Sequence, residues 1–361
     1  MPIMITDEDV ERLLTIPEAV EAMRVCFRDL AEGKAVNPPR LRYSSETPDE
    51  TRRYFANIHA GAVQSLRVSC VRAGSHFMLK DDRGGQRRSL DNPDPVNWSV
   101  IILYDLATAE PLAFIHETYL SGFRVGATTG LGVAEMARED ARVLGLYGTG
   151  NQAYHNTRAI CAVRPIERVQ FFSPSAAHRQ AFVKRMAAEA VEVVALDDPR
   201  QVPVGADVVL CATNTKTPVL LGDWLEPGQM VVTIVNSDVI DTRSEVDEAT
   251  FARASDIVVN DWAGVVANRQ IELLDPIERG VVAREHVHEL KDVVSGRANV
   301  RQAPRGAGGD GIVYYKNNTG LAIQFAACGA ILHRKLIAEG TNRTIPREWF
   351  ASSKYSIAPG R

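Results

Sequence analysis

The fold of this chain is constrained most by one short stretch, Val143-Leu-Gly-Leu-Tyr-Gly148-Thr149-Gly150-Asn151-Gln152-Ala153. An apolar run of strand type stops at Gly148, and a helix-forming run begins near Gln152. That is the first half of a βαβ unit of the dinucleotide-binding kind. Gly148 permits the sharp turn, Gly150 lets backbone approach a pyrophosphate, and Ala153 lets the helix pack close to the strand. The free N–H groups and positive dipole end at the helix start suit phosphate. Glycine-rich turns also occur in ordinary strand-to-helix connections, so the reading rests on the flanking strand and helix.

A chain of 361 residues is too long for one small core and points to two domains. With 45% apolar and 24% charged residues it has the composition of a soluble globular protein. A net charge of −4 offers no electrostatic reason to bind nucleic acid or an anionic membrane. There is no apolar run of about 18 residues, so no membrane span is expected. Met1-Pro-Ile-Met-Ile-Thr-Asp7 has neither the basic nor the apolar region of a secretion signal. Cys26, Cys70, Cys161, Cys211 and Cys328 form no CxxC pair, so neither a disulfide framework nor a zinc site is expected. A cytoplasmic protein without a bound metal follows as the expectation.

Helices are predicted from Thr6 and over Pro17–Glu32, the second with Val20, Met23, Phe27 and Leu30 on one face. Residues 53–77 and 97–104 read as strands, with a charged Gly/Asp/Pro loop from Lys80 to Asn97 between them. A long helical stretch covers Thr118–Arg138. Strand and helix then alternate: strands at 142–147, 168–172, 191–195, 207–211, 230–235 and 256–259, with helices at 151–163 and 176–189. Such alternation predicts a parallel sheet covered on both faces. Residues 300–310 read as a loop and Gly320–Glu339 as a last helix.

An NAD site usually has Asp or Glu at the end of its second strand, where it accepts bonds from the ribose 2′-hydroxyl. Here that strand, Arg168-Val-Gln-Phe-Phe172, runs into Ser173-Pro-Ser175, with His178 and Arg179 one turn later. Hydroxyls beside an arginine suit a 2′-phosphate, so NADP is expected over NAD. Ser173 and Ser175 are also ordinary helix-capping residues, and both roles are compatible.

Four further pieces stand in a telling order: Leu120-Ser-Gly-Phe-Arg124-Val-Gly-Ala127-Thr-Thr, the Gly148 turn, Val235-Asn236-Ser-Asp238 with Glu245-Val-Asp247, and Lys316-Asn-Asn-Thr-Gly320-Leu-Ala-Ile. Together they resemble the ornithine cyclodeaminase/μ-crystallin family over about residues 5 to 340. The resemblance implies a nicotinamide dinucleotide, a substrate that is an α-amino or α-imino acid, and a homodimer. It also implies an α/β fold: a Rossmann-type doubly wound parallel sheet domain over 125–315, plus an α+β substrate and dimerisation domain from 1–124 with 316–361.

On this resemblance Arg124 binds the substrate carboxylate, in bidentate fashion. Asp238, beyond the end of a strand, is the catalytic aspartate. Thr213, Asn214, Val235 and Asn236, past the ends of two strands, join Gly148, Thr149, Gly150, Asn151, Gln152, Ala153, Ser173, Ser175 and Arg179 as the cofactor set. Arg40 or Arg42 matches a further arginine. The family's usual early lysine is replaced by Arg72, which cannot serve as a general base. His76, four residues on, is a candidate pocket residue. Gln324 stands where the family often has an acid. These departures argue against ornithine as substrate.

The expected chemistry is hydride transfer between nicotinamide and the α-carbon, with Arg124 and Arg72 on the carboxylate and Asp238 handling the nitrogen proton. The members implied are imine or ketimine reductases, amino-acid dehydrogenases and opine-type synthases. Two alternatives stand beside this: an ammonia-releasing cyclodeaminase with no net cofactor turnover, and a protein that only binds NADPH and a small ligand.

Overall fold

The computed structural model describes residues 1–79, 97–237, 242–304, 311–317 and 320–351. Asp238, Lys80 and most of the charged loop after it therefore lie outside the described residues, as do 305–310.

The chain opens with β1 (Ile3–Ile5), α1 (Asp7–Leu13) and α2 (Ile16–Glu32). Thr15 and Glu18 form a reciprocal capping box at the start of α2, and Gly33 stops it at φ 72°. Next come β2 (Ala35–Val36), β3 (Leu41–Glu46), β4 (Arg52–Val63), β5 (Val68–Leu79), β6 (Asn97–Asp105) and β7 (Pro111–His116). They form a seven-stranded sheet ordered β1-β7-β6-β5-β4-β2, with β3 also paired to β4. All its pairings are antiparallel except β1 with β7.

Helix α3 (Thr118–Met136) leads into β8 (Val143–Tyr147), α4 (Asn151–Val163), β9 (Arg168–Phe172), α5 (Ala176–Met186), β10 (Glu192–Ala195), β11 (Val208–Cys211) and β12 (Met230–Thr233). There follow α6 (Glu248–Ala252), β13 (Ala254–Val259), α7 (Trp262–Ala267), α8 (Ile271–Glu278), β14 (Val287–Glu289), α9 (Leu290–Val294), β15 (Ile312–Lys316) and α10 (Ala322–Ala338). The second sheet is parallel throughout, in the order β10-β9-β8-β11-β12-β15-β13-β14. Strands β11, β12 and β15 are buried at every residue, as strands covered on both faces must be. The order reverses direction between β8 and β11, which opens a crevice at their carboxyl ends.

This is the α/β arrangement expected, and α4 spans the residues read for it from sequence. Strands β1, β7 and β15 were not anticipated, and α5 stops at Met186, short of Glu189. The sequence boundaries at 124/125 and 315/316 fall inside α3 and β15, because both elements run through continuously.

α3 packs against α4 at backbone distance. Gly122, Gly126 and Gly130 recur every fourth residue, one stripe down a helix. A Cβ on Gly126 would lie 2.6 Å from the His155 carbonyl oxygen. Gly126→Ala therefore forces two backbones apart, at an expected cost of roughly 1–3 kcal/mol. Chemical denaturation checks this, and unchanged stability would contradict the close packing.

Candidate active site

The first functional feature is a groove of about 1000 Å³ at the carboxyl ends of the second sheet. Gly148, Thr149, Gly150, Asn151 and Gln152 line it, with Ser173, Thr213 and Asn214. Gly148 has φ 105°, and a Cβ there would lie 2.3 Å from the Ala212 carbonyl oxygen, so only glycine fits the turn. A Cβ at Gly150 would meet nothing within 4 Å. Gly150 is the N-cap of α4, and no side-chain hydrogen bond caps the helix. The open cradle, the uncapped N–H groups and the helix dipole fit the pyrophosphate of a dinucleotide.

Ala153 is fully buried and packs the helix rather than lining the groove. Ser175 caps α5 by accepting the His178 N–H at 3.3 Å, and it does not line the groove. Arg179 does not line it either. Its guanidinium donates to the Ser173 carbonyl at 2.6 Å and to Asp197 at 3.1 Å. His178 and Lys216 are in the groove instead.

A second cavity, of about 380 Å³, adjoins the groove and shares Gln152, Thr213, Asn214 and Arg243 with it. Its walls come from both domains: Arg40 just before β3, Arg42, His59 and Arg72 from the first sheet, Val235 and Asn236 from beyond β12, and Arg124 from α3. His76 is not among the lining residues. It lies on the same face of β5 as Arg72, but its ring packs 5.4 Å from Phe55.

Arg124 donates to Gln324 Oε1 at 2.6 Å and lies 4.6 Å over the Phe325 ring. Burial lowers its pKa to about 10, so it remains charged at neutral pH. Gln324 also accepts the Leu321 N–H and donates to Thr128 Oγ1 at 2.8 Å, tying α10 to α3. A Cβ on Gly320 would sit 3.1 Å from both terminal nitrogens of Arg124, so the glycine of that motif makes room for the guanidinium.

Arg72 is paired to Glu117 at 2.8 Å and also donates to the Asn57 carbonyl and Ser99. Opposite it on β4, His59 has Nδ1 3.1 Å from the Gly320 carbonyl. Burial, then the charges of Arg72, Arg124 and Arg40, push the His59 pKa down to about 2. The imidazole is therefore neutral, its Nδ1–H donates to Gly320, and Nε2 is left as an acceptor.

Beneath the junction of the two spaces lies Glu245, fully buried. One carboxylate oxygen accepts the Thr213 N–H and hydroxyl at 2.7 and 2.8 Å. The other accepts the Ile234 and Val235 N–H groups at 3.0 and 2.9 Å. One side chain thus fixes the loops after β11 and β12. Burial pushes its pKa up to about 7, against the pull of these donors. Glu272 accepts the Glu245 N–H and is itself paired with buried Lys316.

Sequence reasoning passed over His59, Glu117, Glu245 and Arg243 as site residues. Glu245 stood in a quoted motif, yet its four bonds come from two loops that only the sheet brings together. For His59 the usable signal was alternation: Asn57, His59 and Gly61 share one face of β4.

The two sheets and the crevice between β8 and β11 define a dinucleotide-binding protein, with an arginine-lined cavity beside the groove. The chain belongs to the ornithine cyclodeaminase/mu-crystallin family, whose model matches residues 1–339. It is 30% identical over 297 residues to a Delta(1)-pyrroline-2-carboxylate/Delta(1)-piperideine-2-carboxylate reductase of Azospirillum brasilense, covering 82% of this chain and 87% of that protein. It is 25% identical over 346 residues to an alanine dehydrogenase of Archaeoglobus fulgidus, covering 95% and 98%. In structure it is similar to Delta(1)-pyrroline-2-carboxylate reductase of Thermococcus litoralis in complex with NADH and L-proline, with TM-score 0.81, 24% identity and coverage of 95% and 100%.

Glu245→Gln turns an NH₂ group toward at least one N–H donor whichever way the amide lies. A loss of roughly 1–3 kcal/mol is expected in chemical denaturation, and equal stability would contradict the bracing role.

Proposed function

We propose that this protein is a nicotinamide-dependent oxidoreductase interconverting an α-imino acid and the corresponding α-amino acid. The observation that carries this reading is the shared wall of groove and cavity at Gln152, Thr213 and Asn214, with Arg124 on the cavity side. A nicotinamide dinucleotide bound in the groove supplies or accepts the hydride.

Arg124 holds the α-carboxylate and so fixes the α-carbon near the shared wall. Arg72, aimed by Glu117, orients the substrate. Glu117 lines the cavity, and its buried Oε1 has no hydrogen-bond partner among the described residues. We assign that oxygen to the substrate nitrogen, alongside proton transfer by Asp238. Arg40 and Arg42 complete the substrate set. Val235 and Asn236 border the nicotinamide end. The cofactor is proposed to be NADP: β9 runs into Ser173 rather than a carboxylate, and His178 and Lys216 line the groove.

A homodimer is proposed through the outer face of the first sheet. Leu41, Trp98 and Tyr43 are 59%, 65% and 48% exposed there, and Tyr54 stands 6.4 Å from Phe77 on the neighbouring strand. A continuous apolar stripe of this kind marks an interface. A reducing compartment such as the cytosol suits five free cysteines. No helix among the described residues is long and apolar enough to cross a membrane.

Oxidation of NADPH and NADH is to be followed with α-keto acids plus amines and with cyclic imines, while ammonia is assayed on diamino acids. Net cofactor oxidation, with a lower KM for NADPH, is expected. Ammonia release with no net redox change would replace this reading by cyclodeamination. Arg124→Met should raise substrate KM at least about tenfold, the worth of one lost ion pair, and leave cofactor Kd unchanged. Unaltered kinetics would remove Arg124 from the site. Sedimentation should show twice the chain mass, falling toward one chain in Trp98→Glu. A monomeric wild type would contradict the proposed interface.

A further inference from the structure

His59 lines the substrate cavity from β4 and is buried. Its Nδ1 lies 3.1 Å from the Gly320 carbonyl oxygen. A carbonyl offers no proton, so the ring proton stands on Nδ1 and Nε2 carries a lone pair. Among the described residues no group is bonded to Nε2. The cavity wall thus holds a nitrogen that can only accept a hydrogen bond.

Two routes would turn this acceptor into a donor, and both are opposed. Moving the proton from Nδ1 to Nε2 would set a lone pair against the Gly320 oxygen and forfeit that bond in a buried place. Adding a second proton would put a cation into the same buried place. Burial first, and the arginine charges around the ring second, oppose that step. Gly320 contributes a backbone oxygen just ahead of α10, so the tautomer is set by the main chain rather than by a movable side chain.

The acceptor also stands in a particular place. A Cβ on Gly320 would lie 3.2 Å from His59 Cε1 and 3.1 Å from both terminal nitrogens of Arg124. Cε1 is bonded to Nε2, so the accepting edge of the ring lies beside the guanidinium proposed to hold the α-carboxylate. In an α-amino or α-imino acid, the nitrogen and the carboxylate share the α-carbon. A carboxylate seated on Arg124 therefore brings its nitrogen into this neighbourhood. Arg72, opposite His59 on the next strand, holds Glu117 at 2.8 Å on the same cavity wall.

We infer that His59 is a specificity-determining residue of this site: its Nε2 accepts a hydrogen bond from the substrate's α-nitrogen and turns away the keto acid of the same skeleton, whose oxygen brings only lone pairs. This rests on the function proposed above and deepens it, by naming what separates an imino acid from a keto acid in the cavity. The ammonium of an amino acid, primary or secondary, has hydrogens for both His59 and Glu117. A keto oxygen leaves these acceptors unanswered, the kind of loss that makes hydrogen-bonding sites selective.

The test is calorimetric binding of L-alanine and of propionate, which lacks only the nitrogen, to protein saturated with reduced cofactor. Neither ligand can be reduced there. L-alanine is expected to bind tighter in the wild type. His59→Leu, with folding checked by circular dichroism, should weaken L-alanine at least about tenfold, the equivalent of roughly 1.4 kcal/mol, and propionate less than about twofold. His59→Gln, whose amide oxygen can still accept, should recover most of the loss. Lost packing alone would weaken both ligands alike. L-alanine no tighter than propionate in the wild type, or an equal loss of both in His59→Leu, overturns the inference. Turnover separates it from the parent reading, with each keto acid offered to NADPH with and without ammonia. The wild type should prefer the imine, and His59→Leu should narrow that preference. Imine reduction with the preference unchanged in His59→Leu overturns the role of His59 and keeps the oxidoreductase. Selective L-alanine binding that His59→Leu abolishes, with no turnover on any imine, does the reverse.

Discussion

α3 packs closely onto α4, backbone against backbone at Gly126, and both functional spaces depend on that contact. The Gly148 turn feeds α4, whose N-terminus points into the groove. α3 carries Arg124 and is pressed onto α4 along Gly122, Gly126 and Gly130. Asn317, just past β15, adds hydrogen bonds to Val125 O and Thr129 Oγ1 at 3.0 and 2.7 Å. The arginine and the glycine turn are therefore set relative to one another by backbone packing and a buried amide, both short and stiff. A hydride donor and acceptor must approach within about 3–3.5 Å. Rigid contacts of this kind are how a fold supplies such a tolerance.

The electrostatics follow from the same geometry. Buried arginines are expensive unless something answers their charge. Here Glu117 answers Arg72, whereas the contacts aiming Arg124 are neutral. A buried guanidinium aimed by neutral groups is the kind of group that can be preorganised for a carboxylate. The His59 pKa is depressed by burial first and by the same field second. Glu245 plays the opposite part. It is an anion site turned inward, fixing the Thr213 and Val235 loops and sparing them from having to find partners of their own.

The sequence was most legible where a local rule decides the structure. The Gly148 turn, the continuous apolar strands β8, β11 and β12, and α4 were read nearly residue for residue, since periodicity and glycine placement specify them. Strand β7, Pro111-Leu-Ala-Phe-Ile-His116, opens on a proline, which counts against a strand reading. Strand β15 was masked by the polar Lys316-Asn-Asn motif that ends it. Arg179 looked suited to a 2′-phosphate by spacing alone, but the nearby Ser173 carbonyl and Asp197 take its guanidinium. His59, Glu117 and Glu245 acquire their surroundings only through strand pairing and loop convergence, which no window of sequence displays. Arg124, Arg72, Arg40 and Arg42 do meet in one cavity, while His76 turns to Phe55.

The central claim is that hydride passes between the groove and a carbon held by Arg124. It is tested most directly with nicotinamide cofactor deuterated at C4 and an imine formed in place from a keto acid and an amine. The account predicts an amino-acid product carrying one deuterium at the α-carbon, transferred from a single face of the nicotinamide. A product with no deuterium at that carbon, or label lost to water, would contradict it.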